Sequence, residues 1–153
     1  MAQRDYILRL AQEFGTALAQ ILYNKQIKDY AAAHKLIDEQ SKQIFGMGIG
    51  FMLSVPEETL LSMFTSFDML DAEKCWLLAL LLKAEGDIYE EQGNTSESYY
   101  SYIRSIDLFL EVLLLDRASS KKSIVPEIDE LLVKLHDYEL PTRTKLLLEK
   151  IQN

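Results

Sequence analysis

The stretch Ala84-Glu85-Gly86-Asp87-Ile88-Tyr89-Glu90-Glu91-Gln92-Gly93-Asn94 decides the fold. Upstream, Asp71 can cap a helix that runs through Trp76 and Ile88, and Gly93 stops it as a residue at ease in the left-handed region. Asn94, with Glu97 three residues on, then has the spacing of a capping box, so a second helix starts at once and continues to about Arg117. Two long helices joined by so short a turn form an antiparallel hairpin, spanning residues 71–118.

Working outward, Ile7, Leu10, Phe14, Ala17 and Ile21 recur at spacings of three and four, which aligns them as one helical stripe over about 4–25. Tyr30, Ala33, Ile37 and Ile44 repeat the pattern up to Gly46, so residues 4–46 read as an N-terminal hairpin. The glycines Gly46, Gly48 and Gly50 then interrupt the helical pattern, with Met47, Ile49, Phe51 and Met52 as apolar side chains in that break. Pro56 suits the first turn of a short helix within 54–68, since it has no N–H to lose there, and Glu57 and Glu58 suit its positive end. After the polar connection Ala118 to Ser123, Pro126 and Pro141 read as first-turn prolines of two C-terminal helices in 124–152. The expectation is a single all-α domain over 1–153, with about seven helices and no strand.

The stretch from Ala84 to Asn94 resembles the middle of a tetratricopeptide repeat, in which a glycine is followed three residues later by tyrosine and then by a turn glycine. Gly86, Tyr89 and Gly93 stand at those places; Ser98 and Ser105 fall where the family prefers small residues, and Tyr102 where it prefers an aromatic. Gly86 and Ser98 would let the helices approach closely while Tyr89 and Tyr102 fill the remaining space. The family's tryptophan, its leucine before the glycine and its closing proline are replaced by Leu82, Glu85 and Leu110, so the repeat is degenerate. Tyr30 to Ile37 echoes a second such helix out of register with any tandem array. Together with Arg4 to Ile7 and the Asp29-Tyr30 turn, the chain is similar to an uncharacterised family of tetratricopeptide-like bacterial proteins. That resemblance implies a helical fold and a bacterial cytoplasmic setting, and it carries no catalytic or ligand residues.

At 153 residues, with 48% apolar and 26% charged side chains, the chain can bury a core without disulfides or metal. The start, MAQRDYILRL, lacks a secretory pattern, and the longest apolar runs fall short of a membrane span. The single Cys75, beside Trp76, suits a reducing compartment, so the expected location is the cytoplasm. The net charge of −8 is concentrated in residues 51–118, with four basic and thirteen acidic side chains, a field that repels phosphate backbones and anionic lipid. Neither nucleic acid nor a membrane is the expected partner.

The inventory for catalysis is thin. His34, one turn before Asp38, and His136, beside Asp137 and Glu139, are the only imidazoles, and an exposed or capping histidine explains either. His34 and Asp38 are too few for a zinc site, and Glu85, Asp87, Glu90, Glu91 and Glu97 lack EF-hand spacing and read as a solvated helix face. The three glycines lack a preceding strand and a P-loop lysine. No cofactor, metal or catalytic residue is therefore expected. Tyr99, Tyr100 and Tyr102 read as one packed helix face.

Cys75 to Leu82 and Ile106 to Leu115 are apolar nearly all round, interrupted in the second case only by Asp107 and Glu111. Such helices need cover from the terminal helices or from a second subunit. The expected function is thus a noncatalytic interaction or scaffold protein, a homodimer or an adaptor for a protein or peptide, with Met47, Ile49, Phe51 and Met52 as candidate contacts. The alternative is a small-molecule sensor or enzyme with an apolar pocket lined by Trp76, Tyr99 and Tyr102.

Overall fold

The computed structural model describes the backbone of residues 2–115 and 117–152, and the side chains of 12–115 and 124–152. Helices α1 (Ala2–Gln26) and α2 (Tyr30–Phe45) form the N-terminal hairpin. Lys28, at φ 63°, turns the chain, and the Asp29 side chain caps α2 by accepting from Ala32 N at 3.2 Å. Phe14 and Ile21 meet Ala33 and Ile37 in the core. Ile7 and Leu10, from the same stripe, lie outside the described side chains.

The all-α expectation holds, with eight helices rather than about seven among the described residues. The difference arises first in the glycine-rich break, which is shorter than its composition suggests. Gly46 ends α2 in the left-handed region at φ 79°, but α3 (Ile49–Ser54) begins at once. Asp38 explains this: its Oδ1 accepts from Ile49 N at 2.9 Å and supplies from α2 the cap that Gly48 cannot. A Cβ at Gly48 would meet that oxygen at 2.6 Å, so any larger residue there would push the Asp38 carboxylate off the cap it provides.

In place of one helix over 54–68 stand the shorter α4 (Glu57–Met63) and a small hairpin of β1 (Thr65–Ser66) and β2 (Met69–Leu70). Thr65 pairs with Leu70 and Ser66 with Met69 around a two-residue loop, Phe67-Asp68. Both loop residues have positive φ, 53° and 62°, the sense of a type I′ turn. That conformation costs a phenylalanine roughly 1–2 kcal/mol, and the Phe67 ring is fully exposed. A two-residue hairpin of this kind has no apolar alternation long enough to signal it.

The central hairpin is α5 (Ala72–Glu91) and α6 (Thr95–Leu115). Asp71 caps α5 through Lys74 N at 3.1 Å. At the other end Gly93, at φ 80°, donates to Glu90 O and Asn94 donates to Tyr89 O, a Schellman closure. Ser98, Ser101 and Ser105 form a buried small-residue stripe on α6; Ser98 Oγ donates to Gly86 O at 2.9 Å and Ser105 Oγ to Ala79 O at 2.7 Å. The Ser98 and Ser105 hydroxyls are thus satisfied by the facing backbone, whereas the buried Ser101 Oγ has no partner among the described residues.

Helix α7 (Arg117–Lys134) corrects a second expectation: Pro126 lies inside it, and the residues read as a polar connection are helical. Pro126 is exposed, so the carbonyl it leaves without a partner can face water, while Ile124 on one side and Ile128, Leu131 and Leu135 on the other are buried in the core. That packing on both sides outweighs the local cost of proline. Helix α8 (Thr142–Gln152) starts just after Pro141 and packs against α6.

Cover for the apolar helices is supplied within the chain. Helix α5 is packed by α1, α2 and α6, and α6 by α5, α7, α8 and α3. Leu78, Leu81, Leu82, Ile106, Leu108, Phe109 and Leu110 are fully buried there.

Candidate functional site: a trough along α6

Among the described residues, one face of α6 is not covered. Thr95, Ser96, Tyr99 and Tyr100, with Tyr138 and Glu139 opposite, line an open depression of about 320 Å³. Tyr100, Ile103, Arg104 and Asp107 line a second of about 260 Å³, closed by Leu53 and Glu57 on one side and by Pro141 and Arg143 on the other. Because these α6 positions recur at helical spacing and Tyr100 belongs to both depressions, they make one trough. At 1.5 Å per residue, Thr95 to Asp107 spans about 18 Å.

The first end is aromatic. The Tyr99 ring lies 5.1 Å from that of Tyr138 and 5.6 Å, edge-on, from that of Tyr100. Tyr99 Oη donates to the Glu139 carbonyl at 3.2 Å, which holds the connection after α7 against α6. Tyr100 is 66% exposed.

The second end is charged and largely buried. Arg104 Nη2 donates to the carbonyls of Val55 at 2.7 Å and Leu53 at 3.3 Å, satisfying the end of α3. Arg143 pairs through Nε with Glu57 at 2.7 Å, and at a longer 3.4 Å with Glu58 and Glu111. Thr144 Oγ1 donates to Asp107 Oδ1 at 2.7 Å. Burial, then the facing Asp107 carboxylate, pushes the Glu57 carboxyl up to about 8, and burial also raises Asp107. Glu57 Oε1 has no donor among the described residues, which a proton shared with Asp107 resolves. With Glu57 neutral, Arg104 and Arg143 face the Asp107 carboxylate at the floor of this depression, and Arg143 reaches Glu58 and Glu111 only at the longer distance. Such a site can hold an incoming carboxylate and can exchange a proton near neutral pH.

The residues singled out by sequence fall elsewhere. Gly86, Tyr89, Gly93, Ser98 and Tyr102 come together at the α5–α6 turn, where the Tyr102 ring covers Gly86 and its hydroxyl donates to Asp87 at 2.6 Å. Met47, Ile49, Phe51 and Met52 do not form a surface: helical spacing in α3 turns Ile49 and Met52 into the core, Met47 is half-buried, and only Phe51 is exposed. Trp76 and Tyr102 line neither depression.

His34 is neither exposed nor a cap, because α2 packs it against α5. Its Nδ1 bonds buried Glu85, its Nε2 lies 2.8 Å from Gln92 Oε1, and its ring lies 4.6 Å from that of Tyr89. The bond to Glu85 raises the imidazole pKa against the opposing effect of burial. Asp38 is directed instead to Ile49 N and Lys42, so the two do not converge. Of the acidic group read as a solvated face, Glu90, Glu91 and Glu97 are exposed, while Glu85 is buried and Asp87 is half-buried; Asp87 and Glu90 pair with Lys134 of α7. His136 is exposed beside Asp137. Among the described residues no group of His, Cys, Asp and Glu could hold a metal ion.

Glu57, Tyr100, Arg104, Asp107 and Arg143 were missed as a site. The one available signal was Asp107, a carboxylate inside an apolar run that calls for a buried partner.

No family model matches the chain, and no curated protein and no solved structure matches it either. The tetratricopeptide resemblance thus rests on the residues that suggested it. Among the described residues, no helix is long and apolar enough to cross a membrane.

Proposed function

We propose that this chain is a noncatalytic interaction module that binds an extended segment of a protein along the α6 trough. The observation that carries this reading is the continuity of the two depressions through Tyr100, with an aromatic shelf at one end and paired arginines at the other. An extended strand rises about 3.3 Å per residue, so a trough of this length takes about six residues. The shelf suits an apolar or aromatic side chain, and the arginines suit a carboxylate. Fully buried α6 residues lie behind the trough, and a surface backed by a packed core needs little ordering on binding.

The test is selection of random hexapeptides against the purified chain and against Tyr100→Lys. Tyr100 is exposed enough for that substitution to leave the core intact. A consensus enriched by the wild type and lost with Tyr100→Lys, but kept with Val133→Lys on an exposed part of α7, supports the reading. The absence of any consensus, or one that survives Tyr100→Lys, overturns it.

A further inference from the structure

The trough calls for an aromatic side chain next to a carboxylate, and the chain itself displays that pair. At the tip of the β1–β2 hairpin, Phe67 is fully exposed and Asp68 is exposed beside it. Both occupy the left-handed region, which an asparagine-glycine pair would enter without strain. A bulky aromatic held in a disfavoured conformation, with its ring wholly in water, gains nothing from the fold around it. Met69, 75% exposed, and Met63, 39% exposed, extend the apolar character of the tip.

We infer that this hairpin is a docking finger whose occupied partner is the α6 trough of a second copy of the chain. Phe67 enters the shelf of Tyr99, Tyr100 and Tyr138, and the Asp68 carboxylate meets Arg143. One finger can reach both ends, because Tyr100 and Arg143 line the same depression and consecutive Cα atoms at the tip are about 3.8 Å apart. The charges agree as well. The 3.4 Å contacts of Arg143 with Glu58 and Glu111 are long enough for a better-placed carboxylate to replace them. Acidic residues around the hairpin, Asp68, Asp71 and Glu73, disfavour an anionic lipid surface as the alternative destination. Finger and trough are different surfaces, so the contact is heterologous unless two copies engage reciprocally.

This inference rests on the trough being a binding site, and the experiment separates the two. Phe67→Asn with Asp68→Gly removes the aromatic ring and the carboxylate while installing residues that favour the same turn. Tyr100→Lys blocks the trough and leaves the finger. Light scattering over a concentration series is expected to show association of the wild type and at least a tenfold weaker association of each variant alone. Mixing the two variants restores a complex of two chains, because one contributes the trough and the other the finger. A wild type that stays monomeric at every concentration, or association that persists in the Phe67→Asn/Asp68→Gly variant, overturns the inference. If that happens while a library-selected hexapeptide still binds in a Tyr100-dependent manner, the trough reading stands and only the second copy is excluded as its occupant.

Discussion

The ring of Tyr102 occupies the space that a side chain at Gly86 would need: a Cβ there would lie 2.6 Å from Tyr102 Cε1 and 2.7 Å from Cδ1. The ring cannot withdraw cheaply, since it is 2% exposed and its hydroxyl is bound to Asp87. Alanine at position 86 would gain up to about 1 kcal/mol of helix propensity, against an overpacking cost of about 1–3 kcal/mol. Gly86→Ala is therefore expected to lower stability, by up to about 2 kcal/mol net of the full propensity gain, measured by denaturant unfolding. In a Tyr102→Ala background the same change is expected to become neutral or stabilising. A stabilising Gly86→Ala in the wild type would contradict this packing.

The Glu57 carboxyl gives a stability profile with a defined sign. Its folded value, about 8, lies above the ordinary carboxylate range, so the folded state holds its proton more tightly than the unfolded chain. The resulting stability is complete below about pH 4.5 and is lost as pH rises through 8. Glu57→Gln keeps a neutral group that can donate to Asp107, and so is expected to flatten the decline between pH 6 and 9. Urea midpoints of the two proteins across that range check this, and parallel curves would refute the shared proton.

His34 gives a dependence of the same sign by a different cause. Its pKa is raised mainly by the bond to Glu85, so its contribution is present below the usual histidine range and fades as pH rises through the raised folded value. His34→Ala leaves the Glu85 carboxylate buried without its partner and is expected to cost about 2 kcal/mol at pH 6. The deficit relative to wild type should shrink toward pH 9. A deficit that grows with pH would mean that His34 is neutral in the fold throughout.

The helical hairpins were legible because each carried its own punctuation: Asp29 and Gly46 for the first, Asp71, Gly93 and the apolar stripes for the second. What escaped sequence reading was set by contacts between segments. Asp38 caps α3 from eleven residues away, Ile124 holds helix on the far side of Pro126, and His34 finds Glu85 across 51 positions. The trough was hidden for the same reason. Glu57 read as a helix-end acid and Arg104 and Arg143 carried no signal of their own, and only the fold brings Glu57, Asp107 and Arg143 together around α6. The tyrosines divided in a way that spacing could not foretell, Tyr102 entering the core and Tyr100 staying exposed.

The central claim is that the α6 trough is the binding surface, and an amide chemical-shift map with the most enriched hexapeptide tests it most directly. The account predicts perturbations along the face from Thr95 to Asp107, at Tyr138 to Arg143 and at Leu53 to Glu57, saturating at a single affinity. Perturbations confined to the exposed apolar residues Leu22 and Tyr23 of α1 and Ile27 just after it, with the trough resonances unmoved, would contradict it.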